Sequence, residues 1–369
     1  MHRRTCDPRP DWKERVEAVG LVWHSKDGYW RDGAYYEFTA PQIDELERAT
    51  GILHELAIKA ATHVVEHRRY AELGVPPDLV PLIEKSWKND HPQVYGRLDL
   101  WYDGKSSPRL LEYNADTPTG LVEAALAQWD WLEGRDADQW NTIHEKLIDR
   151  WQHIRRSYPR VHFATWGALP EDVATVTYLA DTAAQGGCEV KTLDIAEVGW
   201  NGLTFVDMEE QPITQLFKLY PWEWMAEEEF AGYLHHAPMH VIEPAWKLLL
   251  SSKGLLAIMW ELDPGHPNLL ATYFDNTLLE AYAEKPMYGR EGSNVRLIWN
   301  EEVLREHPGE WANDRKVYQD LCPLPSFDGN YPVLGAWLIN GWPAGLGIRE
   351  SSDLITGNLS HFVPHVIAR

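Results

Sequence analysis

The sequence predicts a mixed α+β and α/β fold, and three observations carry that prediction. A strand–helix–strand run opens near residue 160 and reads as a small α/β lobe over residues 160–215, with its strands parallel. Residues 95–120, YGRLDLWYDGKSSPRLLEYNADTPTG, alternate with the period of a β-hairpin. The run from Tyr318 to Glu350 is rich in strand formers and broken by Asp328-Gly329 and Asn340-Gly341, the second a strong hairpin signal.

The elements follow in order. Pro8 and Pro10 leave the start irregular before a short helix around Trp12–Val19. Trp23 to Phe38 is rich in Tyr and Trp, with turns at Asp27-Gly28 and Asp32-Gly33, and predicts a hairpin. Thr39 then caps a long helix with Pro41 in its first turn, and Ile43, Leu46, Ile52, Leu53, Leu56 and Ala57 form its buried stripe. His63 and His67 on this helix have metal-ligand spacing, but no third ligand accompanies them or His54, so packing or surface roles are expected. A turn at Pro76-Pro77 leads to a helix over LVPLIEKSWKND and then to the hairpin.

In the hairpin, Leu98 and Leu100 alternate with Arg97, Asp99 and Trp101. On the return strand Leu111 and Tyr113 fall on one side, and Leu110, Glu112 and Asn114 on the other. If the strands pair so that the polar sets share a face, one patch holds two carboxylates, an amide and a guanidinium. Such oxygen ligands suit Mg²⁺, which takes one or two carboxylates and fills its shell with water and phosphate. The competing reading is a solvated face with one surface ion pair. Asp116, Thr117 and Thr119 are placed to cap the apolar helix beginning at Leu121, beside the patch.

Helices follow at Leu121–Leu132 and Gln139–Arg156, where Trp129, Trp131, Trp140 and Trp151 read as packing. VHFATWG is the first strand of the α/β lobe, Pro170–Ala184 its helix and CEVKTLDI its second strand, with Glu171 and Asp172 in the helix's first turn. No GxGxxG lies between that strand and helix, which counts against dinucleotide binding. TQLFKLY is a strand and WEWMAEEEF a helix. Lys253 stands at the start of an apolar helix, against its dipole, so a phosphate or an acidic neighbour is required. Strands around Tyr282–Lys285 and Val295–Trp299 flank a loop holding Gly289, Gly292 and Ser293 that is able to fold over phosphates. Tyr318-Gln319 runs into the Pro-rich Cys322–Pro325, and Arg349 ends an apolar strand, a position that calls for an anionic partner.

Composition narrows the function classes. The chain has 369 residues, with 44% hydrophobic and 24% charged, ordinary for a globular protein with a sizeable core. A net charge of −22 argues against a nucleic-acid partner, while an acidic surface attracts cationic small molecules. No apolar run reaches the length of a membrane span and MHRRTCDPRP has no signal-peptide character, so a cytoplasmic location is expected. Cys6, Cys188 and Cys322 are scattered and lack a CxxC pair, against both a disulfide framework and a zinc site.

The block RLDL…LLEYNADTPTGLVEAA resembles the synthetase domain of glutathionylspermidine synthase and, more closely, its stand-alone bacterial relatives assigned as acid–amine ligases. RPDWKERVEAVGL, FKLYPWEWM, EPAWKLLLSSKGLL, EKPMYGREGSNV and GIRESSDLITGNLSHFVPH extend the resemblance along nearly the whole chain. It implies an ATP-grasp fold in permuted order, with nucleotide-binding lobes over about 253–349 and a small pre-ATP-grasp-like lobe. It further implies an ATP-dependent ligase that joins a peptide or amino-acid carboxylate to a cationic amine through an acyl phosphate. Asp99, Glu112 and Asn114 would bind two Mg²⁺ ions, and Arg97 would stabilise phosphoryl transfer. Lys253, Lys285, Pro286 and Gln319 would hold ATP with Arg97 and Asp99, joined by Lys218, Asn294 and Arg349. Thr117 and Thr119 would lie at the acid, Glu171 and Asp172 at the amine. The bifunctional members carry an amidase ahead of the synthetase, and this sequence opens on the synthetase region. Thr117 and Thr119 stand where that enzyme has serines, so glutathione and spermidine themselves are not implied. A catalytically silent nucleotide-binding protein and an ATP-dependent phosphotransferase are the alternatives.

Overall fold

The computed structural model describes residues 1–167, 169–357 and 360–368. Its centre is a five-stranded antiparallel sheet in the order His361–Val363, Trp342–Ser351, Tyr331–Ile339, Tyr95–Trp101, Arg109–Asn114. Asn340 and Gly341 both have positive φ, +50° and +79°, the conformation of a tight hairpin turn whose twist matches its strands.

The long helix Ala40–His67 crosses this sheet. Thr39 and Gln42 form a reciprocal capping box, Pro41 sits in the first turn, and Arg68 ends the helix at φ +55°. Ile43, Leu46, Leu53 and Ala57 are buried as the spacing predicts, while Ile52 and Leu56 flank them half-buried.

The α/β lobe is a four-stranded parallel sheet in the order His240–Ile242, Gln215–Leu219, Arg160–Thr165, Glu189–Asp194, with the helix Pro170–Gln185 as its first crossover. Its sheet therefore runs past residue 215. Gly186 ends the crossover where an added Cβ would stand 2.8 Å from Cβ of Trp151, so only glycine fits. A second antiparallel sheet takes Thr272–Tyr273, Lys316–Asp320, Ala281–Pro286, Arg296–Trp299 and Glu302–Glu306, in that order.

Four local expectations change. Trp23–Phe38 is not a hairpin: Ala34–Phe38 pairs with His2–Thr5 and, in parallel, with His365–Ile367. Trp30 bridges to Phe362 and stacks on its ring, so contacts from the far end of the chain replace the local turn. The helix read as Gln139–Arg156 spans Ile143–Ile154, because Gln139 donates to the Gln128 and His365 carbonyls and Thr142 to Ala344. WEWMAEEEF keeps one helical turn, Trp222–Met225. Leu121–Leu132 contains a π-helical turn over Glu123–Ala127. Among the described residues no helix is long and apolar enough to cross a membrane.

Candidate active site

A cavity of about 360 Å³ opens where the central sheet, the second antiparallel sheet and the α/β lobe meet. Its floor is the predicted hairpin. Arg97 pairs with Asn114 across the ladder and Asp99 with Glu112, so the four polar side chains share one face. A bulge follows. Leu100 pairs with Leu110, which leaves Leu111 as the extra residue and reverses the expected sides of the two leucines. Leu110 joins Leu98, Leu100 and Tyr113 in the core, while Leu111 lines the cavity. The face is not a solvated surface: Arg97 and Asp99 are 7% and 3% exposed.

Asp99 lies between two guanidinium groups. Arg97 donates from Nε to its Oδ1 at 2.6 Å and from Nη2 to Oδ2 at 3.0 Å, and Arg349 donates from Nη2 to Oδ2 at 2.8 Å. Arg97 also donates from Nη1 to the Thr119 carbonyl at 2.5 Å. Gly335 on the neighbouring strand makes room, since a Cβ there would sit 2.9 Å from Cδ of Arg97. Glu112 is paired in turn: Lys253 Nζ lies 3.0 Å from Oε2, and the Asn114 amide donates to Oε1 at 3.0 Å. Burial raises the Glu112 carboxyl, but Lys253, Asn114 and Lys285 overturn this and hold it well below the usual range. Glu112 is thus the acidic neighbour that Lys253 requires.

The second sheet supplies the roof. Lys285 donates to Gln319 Oε1 at 2.6 Å and to the Leu111 carbonyl at 3.0 Å. Burial pushes its ammonium down to about 8, against the pull of Glu112. Gln319 donates to the Leu110 carbonyl at 3.2 Å, and Lys253 to the Gly289 carbonyl at 2.7 Å. The Gly-containing loop thus closes onto the floor through a lysine. Pro286, Gly289, Arg290, Glu291 and Gly292 line the cavity with these groups.

The mouth lies at the α/β lobe. The chain leaves Arg160–Thr165 for a strand on one side and returns as Gln215–Leu219 on the other, so a topological switch point falls between these neighbours. Ligands bind outside the carboxyl ends of strands at such points. Trp166, Leu169 and Asp172 reach the cavity from the first strand's end, and Tyr220, Pro221 and Trp224 from the second's. Thr117 and Thr119 line the cavity too, while Glu171, in the same helical turn as Asp172, is not among the lining residues.

Three expected roles fall elsewhere. Lys218 is fully buried against Asp116, Nζ to Oδ1 2.6 Å, and does not line the cavity. Asp116 does not cap the Leu121 helix, because Lys218 and the backbone N–H of Trp222 take its two oxygens. Asn294 accepts from the Trp311 N–H at 2.7 Å and fastens the loop from outside the cavity. Trp166, Trp224, Arg290, Glu291 and the buried Glu123 were not anticipated. The readable signals were a tryptophan just past an apolar parallel strand and an acid inside the apolar LVEAALA.

The donors of Asp99, Glu112 and Asn114 are hard oxygens brought together in register beside two lysines, which fits a dication whose remaining ligands are phosphate and water. Among the described residues no group of three or more His, Cys, Asp or Glu forms a metal cluster. His63 and His67 stack ring on ring at 4.1 Å.

Residues 3–368 match the family described as glutathionylspermidine synthase preATP-grasp. A Haemophilus influenzae protein named "Putative acid--amine ligase" is 41% identical over 390 residues, covering 99% of each chain. The bifunctional glutathionylspermidine synthetase/amidase of Escherichia coli is 28% identical over 389 residues, 96% of this chain and 62% of its own length. Trypanothione synthetase of Crithidia fasciculata is 28% identical over 346 residues, 84% of this chain and 53% of its own. This chain therefore spans little more than half of those two longer relatives. Matched from residue 3 to residue 368, the chain belongs to the glutathionylspermidine synthase preATP-grasp family, a family of ligases.

Proposed function

We propose that the protein is an ATP-dependent acid–amine ligase. The observation that carries this reading is the register of the hairpin, Arg97 with Asn114 and Asp99 with Glu112, with Lys285 reaching the same cavity from the second sheet and Lys253 from the start of the helix Gly254–Leu262. ATP would lie between floor and roof, its phosphates toward Lys253, Lys285 and Arg349 and its base toward Pro286, Gln319 and the Cys322–Leu324 strap. Mg²⁺ at Asp99, Glu112 and Asn114, expected as two ions, would supply charge neutralisation on the phosphates.

The acid carboxylate, held near Arg97, Thr117 and Thr119, attacks the γ-phosphorus and becomes an acyl phosphate. Arg97 answers the charge that develops on the phosphoryl oxygens, and its two bonds to Asp99 hold the guanidinium in place for that moment. An amine at Glu171 and Asp172 then attacks the acyl carbon, and phosphate leaves. Trp166, Leu169 and Trp224 limit water at the mouth, where hydrolysis of the acyl phosphate would waste ATP.

The test is a panel of acids and amines scored for ATP-dependent phosphate release, with mass spectrometry of the product. A product lighter than acid plus amine by one water supports the ligase. A stable phosphorylated product with no amide makes it a phosphotransferase. ATP binding without turnover on any pair makes it a silent nucleotide-binding protein.

A further inference from the structure

Among the buried acids that do not line the cavity, Glu123 takes a hydroxyl from Tyr29 at 2.6 Å, while Asp116 and Glu243 each take a lysine ammonium. These two ion pairs stand at the two ends of the floor hairpin. At its entry Glu243 accepts the N–H groups of Val94 and Tyr95 on Oε1, at 2.9 and 3.0 Å, with Lys247 2.8 Å from Oε2. At its exit Asp116 accepts the Lys218 ammonium on Oδ1 at 2.6 Å and the Trp222 N–H on Oδ2 at 3.0 Å. None of the four side chains is more than 3% exposed. Taking two charges out of water offsets most of their attraction, so a buried pair is a poor source of stability. Its best attested use is to fix one arrangement of the chain against others.

The exit pair joins two walls of the cavity. Asp116 opens the loop whose Thr117, Pro118 and Thr119 line it. Lys218 belongs to the strand Gln215–Leu219, and the residues next along, Leu219, Tyr220 and Pro221, line the cavity from the α/β lobe. The Lys218 ammonium also lies 4.9 Å from the centre of the Trp222 ring. From the helix Lys247–Ser251, the Ser251 hydroxyl accepts the N–H groups of Ala115 at 3.1 Å and Asp116 at 2.9 Å. The far end of the loop is tied down separately, by Arg97 on the Thr119 carbonyl.

We propose that Lys218, Asp116 and Ser251 are positioning residues for the acid substrate. They fix the loop Thr117–Thr119 against the lobe and so set the gap in which the substrate carboxylate meets Arg97. This rests on the ligase reading and adds to it residues that touch neither substrate nor nucleotide. An aspartate carboxylate stands one methylene from its backbone, so with both oxygens taken the loop has little room to shift. The attacking carboxylate oxygen must come within about 3–3.5 Å of phosphorus, and a displacement of about 1 Å costs up to about a hundredfold in rate. The nucleotide groups are held independently: Lys253 by Glu112 and the Gly289 carbonyl, Lys285 by Gln319 and the Leu111 carbonyl. Loosening the loop therefore acts on the acid and spares ATP.

The test replaces both charges at once, so that neither is left alone in the dry interior. Asp116→Asn/Lys218→Met should keep a melting temperature near that of the wild type. With the acid found in the phosphate-release screen, its KM for the acid should rise about tenfold or more, while KM for ATP changes less than about twofold. Glu243→Gln/Lys247→Met makes the same exchange at the hairpin's entry and should leave the ratio of the two KM values unchanged. Ser251→Ala frees two N–H groups of the same loop and should raise the acid KM about threefold. That milder variant carries the test if the Asp116/Lys218 protein does not fold. Hydrogen exchange over residues 115–120 without substrates should quicken in the Asp116/Lys218 and Ser251 variants and not in the Glu243/Lys247 one. An unchanged acid KM in a folded variant overturns the proposal, as does an equal rise in both KM values or the same split in the entry-pair protein. Wild-type enzyme inert with every acid of the panel strikes instead at the ligase reading. The exchange rates then still decide whether the pair fixes the loop, and unaltered exchange overturns it.

Discussion

The floor and the mouth of the cavity treat carboxylates in opposite ways. On the floor every carboxylate has a cation: Asp99 has Arg97 and Arg349, and Glu112 has Lys253. At the mouth the acids face one another. Burial and then Glu171 raise Asp172 to about 6, and Glu123 reaches about 7 for the same two reasons. Arg290, the nearby cation, is already engaged by Glu223 at 2.5 Å and lies over the Trp224 ring. The floor carries fixed positive charge suited to phosphates. The mouth gathers acids whose mutual repulsion a proton or a cationic ligand would relieve. A protein with a net charge of −22 thus keeps a cationic strip on the floor of its cavity, and local placement outweighs the overall sign.

The contrast breaks most severely at Glu112. Glu112→Gln leaves Lys253 without its carboxylate and removes a charge from the proposed metal set, so Mg²⁺-dependent ATP turnover should fall on the order of 10²–10³-fold. Circular dichroism should show an unchanged fold, since Glu112 lines a cavity rather than the core. Near-normal turnover in the folded variant would remove Glu112 from the site.

A smaller effect sharpens the other side. A simple alkyl diamine should raise the melting temperature at pH 8, where the mouth acids are ionised, and lose most of that effect by pH 5.5, below the Asp172 and Glu123 values. Equal stabilisation at both pH values would separate diamine binding from these carboxyls.

The smallest effect concerns stability. Glu123 and Asp172 have folded-state values above the ordinary carboxyl, so their contribution is fully present at acid pH and is lost as pH rises through about 6 to 7. Glu112 has the opposite sign, contributing above the ordinary carboxylate range and losing that contribution only in strong acid. Glu123→Gln should therefore raise the melting temperature at pH 8 and leave it nearly unchanged at pH 5. Thermal melts at the two pH values read this directly, and a uniform loss at both would mean that the Tyr29 bond outweighs the buried charge.

Much of the site was legible because its key spacing is local. Residues two apart on a strand share a face whatever surrounds them, so Arg97 with Asp99 and Glu112 with Glu112's neighbour Asn114 needed only the alternation. Thr39, Pro41 and Gln42 likewise marked the start of the long helix through bonds within one turn. The sequence alone also located Lys253 at a helix start and so demanded an anionic neighbour. It did not say which one.

Tertiary structure decided the rest, because the deciding contacts join residues far apart in the chain. Lys253 meets Glu112 only when the start of the helix Gly254–Leu262 packs against the hairpin, and Lys285 meets Gln319 only across neighbouring strands of the second sheet. Asp116 looked like a cap from its position before Leu121, but a buried ammonium at Lys218 is a stronger claimant on its charge than helix N–H groups. The β-bulge exchanged Leu110 and Leu111, since one extra residue reverses the faces of a two-residue repeat. Glu123 gave an acid in an apolar run and nothing more; its meaning depends on Tyr29 and Glu171, which reach it from segments 94 residues earlier and about fifty residues later. A carboxyl's proton affinity is set by what surrounds it in space, and that surrounding exists only when the chain has folded.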